Sequence, residues 1–238
     1  MTEIQTTRKR RGRWYVELVI ILVIAMAIAA LVRAYVAQAF FIPSSSMEQT
    51  LQENDRILVS KVGLWFGSVQ RGDIVVFRDP GSWLAAPPES ANPIRRALEF
   101  VGVAPSSTEG DLVKRVIGVG GDEVKCCDSK GRIVVNGHSL DEPTVDPADS
   151  PGDAPAGCQA KFDISVPMGY LWVMGDHRSV SEDSRCHDGL DAFVPEGDVV
   201  GRAVLIFLPT DRWATLGRPS VYADLPPLTS GTSPPLAG

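Results

Sequence analysis

The segment DLVKRVIGV (residues 111–119) decides the fold class. It is short, apolar, rich in Val and Ile, and bounded by Gly and Asp, which are the marks of a β-strand. Alternate residues of a strand share a face, so Lys114 sits with Leu112 and Val116, and Arg115 with Val113 and Ile117. One of the two cations must then face inward or lie at an edge. A solvated lysine on an edge strand is the ordinary solution. A lysine buried among apolar neighbours would instead be depressed in pKa, because desolvation disfavours its charged form.

Five further runs share this character: RILVSKV (56–62), DIVVF (73–77), RIVVNG (132–137), YLWVMG (170–175) and VVGRAVLIFL (199–208). Together they predict a mostly-β, antiparallel-sheet domain over residues 37–222. One helix is expected within it, PIRRALEFVGV (93–103). A β/loop insert is expected over about 125–165. Within it, residues 141–157 are rich in Pro and acids and read as loop. From 223 to 238 the Pro, Ser, Thr and Gly content predicts a disordered tail.

Toward the N-terminus, LVIILVIAMAIAALV (18–32) carries no charge. Extended to 14–36, it reaches the length of a membrane-spanning helix. Arg8, Lys9, Arg10, Arg11 and Arg13 precede it against a single acid, Glu3. That bias predicts a cytoplasmic tail at 1–13 and a body on the other side of the membrane. A cleaved secretory signal is the alternative, since Ala37-Gln38-Ala39 resembles a processing site. Both readings place the body where disulfides are permitted.

Apolar residues make up 44% and charged residues 22%, which excludes wholesale disorder. The net charge of −6 argues against nucleic acid as a partner. The four cysteines, Cys126, Cys127, Cys158 and Cys186, include no Cys-x-x-Cys pair, so no zinc framework is expected. A bond between the adjacent Cys126 and Cys127 is disfavoured by geometry. A fully oxidised chain then has two connectivities open to it, 126–158 with 127–186 or 127–158 with 126–186; the favoured reading is a single bond from one of the pair to Cys158, which clips the insert and leaves Cys186 free.

Four stretches could carry chemistry: IPSSSMEQTL (42–51), GDIVVFR (72–78), DLVKRVIG (111–118) and MGDHRSVSEDSR (174–185). Singly they read as a polar loop, a turn into a strand, an interrupted strand and a charged turn. In this order, downstream of an anchor, they resemble the bacterial type I signal peptidases, Ser/Lys-dyad serine proteases, over roughly residues 14–210.

The resemblance implies Ser46 as nucleophile, Lys114 as general base and Ser44 as an oxyanion donor. It implies that Ser181 orients the lysine, and that Asp183, Arg185, Asp176 and Arg178 brace the site. Ile42, Pro43, Met47, Leu51 and Val113 fall where the family lines its substrate pockets. The implied substrates are the signal peptides of exported preproteins, cut after small-x-small sites by a monomer at the membrane lipid. No cofactor and no metal are implied. Three positions depart from the family: Gln49 and Gly120 stand where Pro is common, and His177 where Asn is common.

The physics agrees with these assignments. Serine needs a base, and lysine serves only when neutral. A Ser/His/Asp hydrolase is the rival enzyme, with His177 as base, but no G-x-S-x-G elbow exists. A membrane-tethered binding module is the rival from another class, and metal binding by Cys158, Cys186 and His187 a further one.

Overall fold

The computed structural model describes residues 13–63, 67–81, 83–84 and 110–226. The first element is helix α1 (Arg13–Tyr35). At about 1.5 Å per residue it reaches roughly 34 Å, enough for a hydrocarbon core of about 30 Å. Its segment Trp14–Tyr35 has a mean hydropathy of 2.8. It is the one helix among the described residues long and apolar enough to cross a membrane. Its side chains pack against little else: Ile21 is 62% exposed and Leu31 57%. The basic residues 8–11 lie outside the described residues.

Twelve described strands follow: β1 (Ala37–Phe41), β2 (Arg56–Ser60), β3 (Ile74–Arg78), β4 (Asp111–Val119), β5 (Glu123–Cys126), β6 (Ile133–Val135), β7 (His138–Ser139), β8 (Phe162–Ser165), β9 (Tyr170–Met174), β10 (Val194–Pro195), β11 (Val199–Leu208) and β12 (Ala214–Thr215). The main sheet runs β1-β2-β11-β3-β4-β9-β10, with β12 also on β11. A second sheet, β7-β6-β5-β8, is inserted between β4 and β9. The pairings are antiparallel, so the mostly-β antiparallel fold read from the sequence is correct.

Strand β3 shows why the main sheet holds. Ile74 and Val76 pack on one face with Phe40, Ile42, Met47, Leu51 and Val59. Val75 and Phe77 pack on the other with Trp83, Val116, Leu171 and Val173. Both faces are dry, so the run reads apolar throughout instead of alternating. Strand β4 lies between β3 and β9, not at an edge. Lys114 is 3% exposed and Arg115 1%, so both cations are buried, one on each face.

The insert is more ordered than its loop-like composition suggests. Asn136 and Gly137 take positive φ (50° and 81°) and close the β6–β7 hairpin, as a type I′ turn requires. Val124, Ile133, Val135 and Phe162 form a core that continues into Trp172 and Phe193 of the main domain.

Three expectations need correction. The disulfides are Cys126–Cys127 and Cys158–Cys186, so Cys186 is not free and Cys158 does not bond the pair. Strand β5 ends at Cys126, so the alternation that would part the two side chains stops there. Gln159 N–H donates to Arg185 C=O (2.8 Å), which sets Cys158 beside Cys186. Metal binding by Cys158 and Cys186 is thereby removed, since both are oxidised. Lastly, the chain remains packed past 223: helix α2 (Ser220–Ala223) buries Tyr222, and Leu225 follows it into the core. The expected helix 93–103 and residues 227–238 lie outside the described residues.

Candidate active site

The serine loop follows β1 directly. Ile42 is tied on both sides, its N–H to Asp55 C=O (2.9 Å) and its C=O to the Asn54 N–H (2.9 Å). Asp55 is held in turn by Arg212 (2.9 Å). Met47 and Leu51 then bury completely, and the Leu51 N–H reaches Met47 C=O (2.7 Å). The chain between these anchors, Pro43–Ser46, is left at the surface of a cleft. Ser44 and Ser46 place their hydroxyl oxygens 3.4 Å apart.

That cleft has a volume of about 320 Å³. Ile42, Pro43, Ser44, Ser45, Ser46 and Met47 form one wall, and Asp111, Leu112, Val113 and Lys114 another. Trp83, Leu84, Val180 and Glu182 complete it. Ser46 and Lys114, 68 positions apart in the chain, thus face one space. No histidine is among the described lining residues. Leu51, expected in a pocket, lies instead in the core behind it.

Burial pushes Lys114 down from 10.5 to about 8, against an opposing pull from the Asp183 carboxylate. Asp183 is itself fully buried. Desolvation would raise it, but the adjoining Arg185 guanidinium holds it below its ordinary value. Asp183 accepts from Arg185 Nε and Nη2 (2.8 Å each), from the Ser181 hydroxyl (2.8 Å) and from Gly175 N–H (3.0 Å). The Asp183–Arg185 pair implied by the resemblance is present, and Ser181 spends its one donor on Asp183. Its oxygen lone pairs remain available to a lysine N–H.

The expected grouping of Asp176 with Arg178 is resolved differently. Asp176 forms a two-point pair with Arg115 (2.7 and 2.6 Å) and accepts from the Thr50 hydroxyl (2.6 Å). Arg178 reaches Glu142 of the insert (2.5 Å) and Gly175 C=O (2.9 Å). Tyr222 of α2 meets the same Glu142 oxygen (2.5 Å). Arg115, Thr50, Glu142 and Tyr222 were not singled out from the sequence as parts of the site. Only the inward cation on β4 gave a signal, and it pointed equally to Lys114.

Gly175 explains how closely the parts sit. A Cβ there would overlap the Ser46 carbonyl and the Ser181 hydroxyl. The next residues reinforce this contact, because His177 N–H donates to Ser46 C=O (3.2 Å). His177 Nδ1 lies 3.4 Å from Glu48.

Two of the three family departures, Gln49 and Gly120, have local reasons. Gln49 has φ +87°, which proline, fixed near −65°, cannot adopt. A Cβ on Gly120 would meet the 167–169 backbone at 3.0 to 3.1 Å, so the turn admits no larger residue without shifting.

The comparisons with known proteins agree with this arrangement. The family described as "Signal peptidase, peptidase S26" matches residues 15–208. Signal peptidase I of Mycobacterium tuberculosis is 39% identical over 221 residues, covering 84% of this chain and 74% of that protein. Probable signal peptidase I of Mycobacterium leprae is 38% identical over 238 residues, covering 88% and 81%. Signal peptidase I U of Bacillus subtilis is 30% identical over 203 residues, covering 85% and 91%. An apolar N-terminal helix, an antiparallel sheet and a serine-bearing cleft thus coincide with a family match across most of the length, and the chain belongs to the signal peptidase family, peptidase S26, as a serine peptidase.

Proposed function

We propose that this chain removes signal peptides from exported preproteins by attack of Ser46 on the scissile carbonyl, with neutral Lys114 as general base. The observation that carries this reading is that Ser46 shares one cleft with a fully buried lysine whose pKa is lowered to about 8. At neutral pH a lysine near 8 is neutral about one time in ten, far more often than an ordinary lysine. Lys114 takes the Ser46 proton, then delivers it to the leaving amine. Ser44 and the Ser46 amide steady the oxyanion. Ser181 orients the lysine, and the Asp183–Arg185 and Asp176–Arg115 pairs keep the two loops in register.

The substrate lies as an added strand on β4. Its partner β9 pairs only as far as Arg115, so the segment Asp111–Val113 has an open edge on that side. Val116 bonds toward Asp73 and Gly72 on the β3 side. By alternation, the Val113 and Asp111 amides point to the open side. Alternate substrate side chains then enter the cleft, which favours small residues at the cut and two positions before it. Residues 1–13 lie in the cytoplasm, 14–36 span the plasma membrane, and the body from 37 onward acts outside as a monomer.

The test is cleavage of an Ala-x-Ala peptide by the full chain in detergent. Ser46→Ala and Lys114→Ala abolish it and His177→Ala retains it. Loss in His177→Ala with retention in Lys114→Ala overturns the dyad. Protease added outside spheroplasts digests the body, and a protected body overturns the topology.

A further inference from the structure

The chain that leaves β3 adds a second wall to the cleft, on the opposite face of the sheet from the serine loop. Val113 packs on the face that holds Ile42 and Met47. Its neighbour Leu112 packs on the other face, with Phe77 and Trp83. Asp79 fixes this wall from below, since its carboxylate accepts from the backbone N–H groups of Gly81 (2.9 Å), Trp83 (3.0 Å) and Leu84 (3.1 Å). The Trp83 indole is held as well. Its Nε1 donates to Asp191 C=O (2.8 Å), and its ring stacks on His187 with centroids 4.5 Å apart and 9° between planes. Phe77 meets it edge-on at 5.6 Å. Trp83 is almost wholly buried and still lines the cleft, where Leu84 and Val180 are 39% and 49% exposed.

We propose that Trp83, Leu84, Leu112 and Val180 form a shelf that selects an apolar, preferably aromatic, side chain at the substrate residue lying between the two small ones. The proposal rests on the protease reading and on a substrate laid as a strand along the open edge of Asp111–Val113. Successive side chains of a strand point to opposite faces. A substrate that turns its small residues toward Val113 and Ile42 therefore turns the residue between them toward Leu112 and Trp83. An apolar side chain there is removed from water, whereas glycine leaves the shelf bare. An aromatic ring gains most, because the indole it meets is already fixed and loses no freedom on binding.

The test uses the full chain in detergent and three peptides that differ only before the cut: Ala-Gly-Ala, Ala-Phe-Ala and Phe-Gly-Ala. Ala-Phe-Ala should exceed Ala-Gly-Ala about tenfold in kcat/KM, chiefly through KM. Phe-Gly-Ala should fall below both, because a shift of one residue turns the ring to the Val113 wall. Trp83→Ala should bring the advantage of Ala-Phe-Ala to within about twofold. Equal kcat/KM for Ala-Phe-Ala and Ala-Gly-Ala in the wild type, or an advantage undiminished in folded Trp83→Ala, overturns the proposal. If Trp83→Ala does not fold, Leu84→Ser is read the same way, with the advantage cut about threefold and an unchanged advantage overturning the shelf. Cleavage of none of the three peptides, or cleavage that survives Ser46→Ala, overturns the protease reading and the shelf with it, and is distinct from equal cleavage, which overturns the shelf alone.

Discussion

Replacing Lys114 with Met should abolish cleavage and stabilise the protein, with a gain that depends on pH. Met keeps most of the stem and removes the charge, and Asp183 stays paired with Arg185. The fall of Lys114 from 10.5 to about 8 corresponds to about 3 kcal/mol of unfavourable burial of the charged form. This penalty is complete below pH 8, where the folded protein must keep the lysine protonated. Between 8 and 10.5 the unfolded chain binds the proton that the folded chain has released, so wild-type stability rises with pH. The advantage of Lys114→Met should therefore be about 3 kcal/mol at about pH 6.5 and about 1 kcal/mol at about pH 9.5. Denaturant unfolding of both chains in detergent, followed by tryptophan fluorescence, measures the two gaps. A gap that does not narrow as pH rises refutes burial as the cause of the lowered pKa, and with it the argument for a neutral base.

Other perturbations separate the remaining parts. Wild-type kcat/KM should rise with pH through about 8 as Lys114 loses its proton, and His177→Ala should keep that profile; a limb near 6.5 that vanishes in His177→Ala would move the base to the histidine. Asp176→Ala leaves Arg115 buried without its carboxylate and should cost about 3–5 kcal/mol by urea unfolding, whereas a loss below about 1 kcal/mol would show the pair to be incidental. Gly175→Ala forces a methyl against the Ser46 carbonyl and the Ser181 hydroxyl, and its peptide turnover should fall at least tenfold, about 1.4 kcal/mol or more; turnover within twofold of wild type would deny the close approach a role. Replacing Cys158 and Cys186 together with Ser should lower stability by about 2–4 kcal/mol, and unchanged unfolding would deny the bridge a structural role.

Strand content was readable in the sequence because the Val- and Ile-rich runs are bounded by turn residues. β2, β4, β6, β9 and β11 fall within the runs read as strands, and β3 passes the end of its run by one residue, Arg78. The serine loop and Lys114 were readable through their motifs, and they line one cleft. What was not readable depends on partners distant in sequence. The expectation that one of the two cations lies inward or at an edge missed that both are buried, Arg115 on the Asp176 carboxylate and Lys114 in the wall of the cleft. Asp176 pairs across 61 residues and Glu142 with Arg178 across 36, and a motif read along the chain grouped Asp176 with its neighbour Arg178 instead. The disulfides failed for the same reason, since a backbone bond from Gln159 to Arg185 selects the partner of Cys158. The expected tail begins a few residues too early, because Leu225 joins the core despite the polar composition around it.

The link from Tyr222 through Glu142 to Arg178 gives the short helix α2 a bearing on a cleft that it does not line. Without α2, Glu142 would lose the Tyr222 hydroxyl, and Arg178 would be less firmly held beside the Gly175 carbonyl. The helix then works as a clasp that fastens the insert to the loop packed against Ser46. Chains ended after Leu216 should cleave at least tenfold more slowly than the full chain, and full activity in such chains would remove this role from the helix.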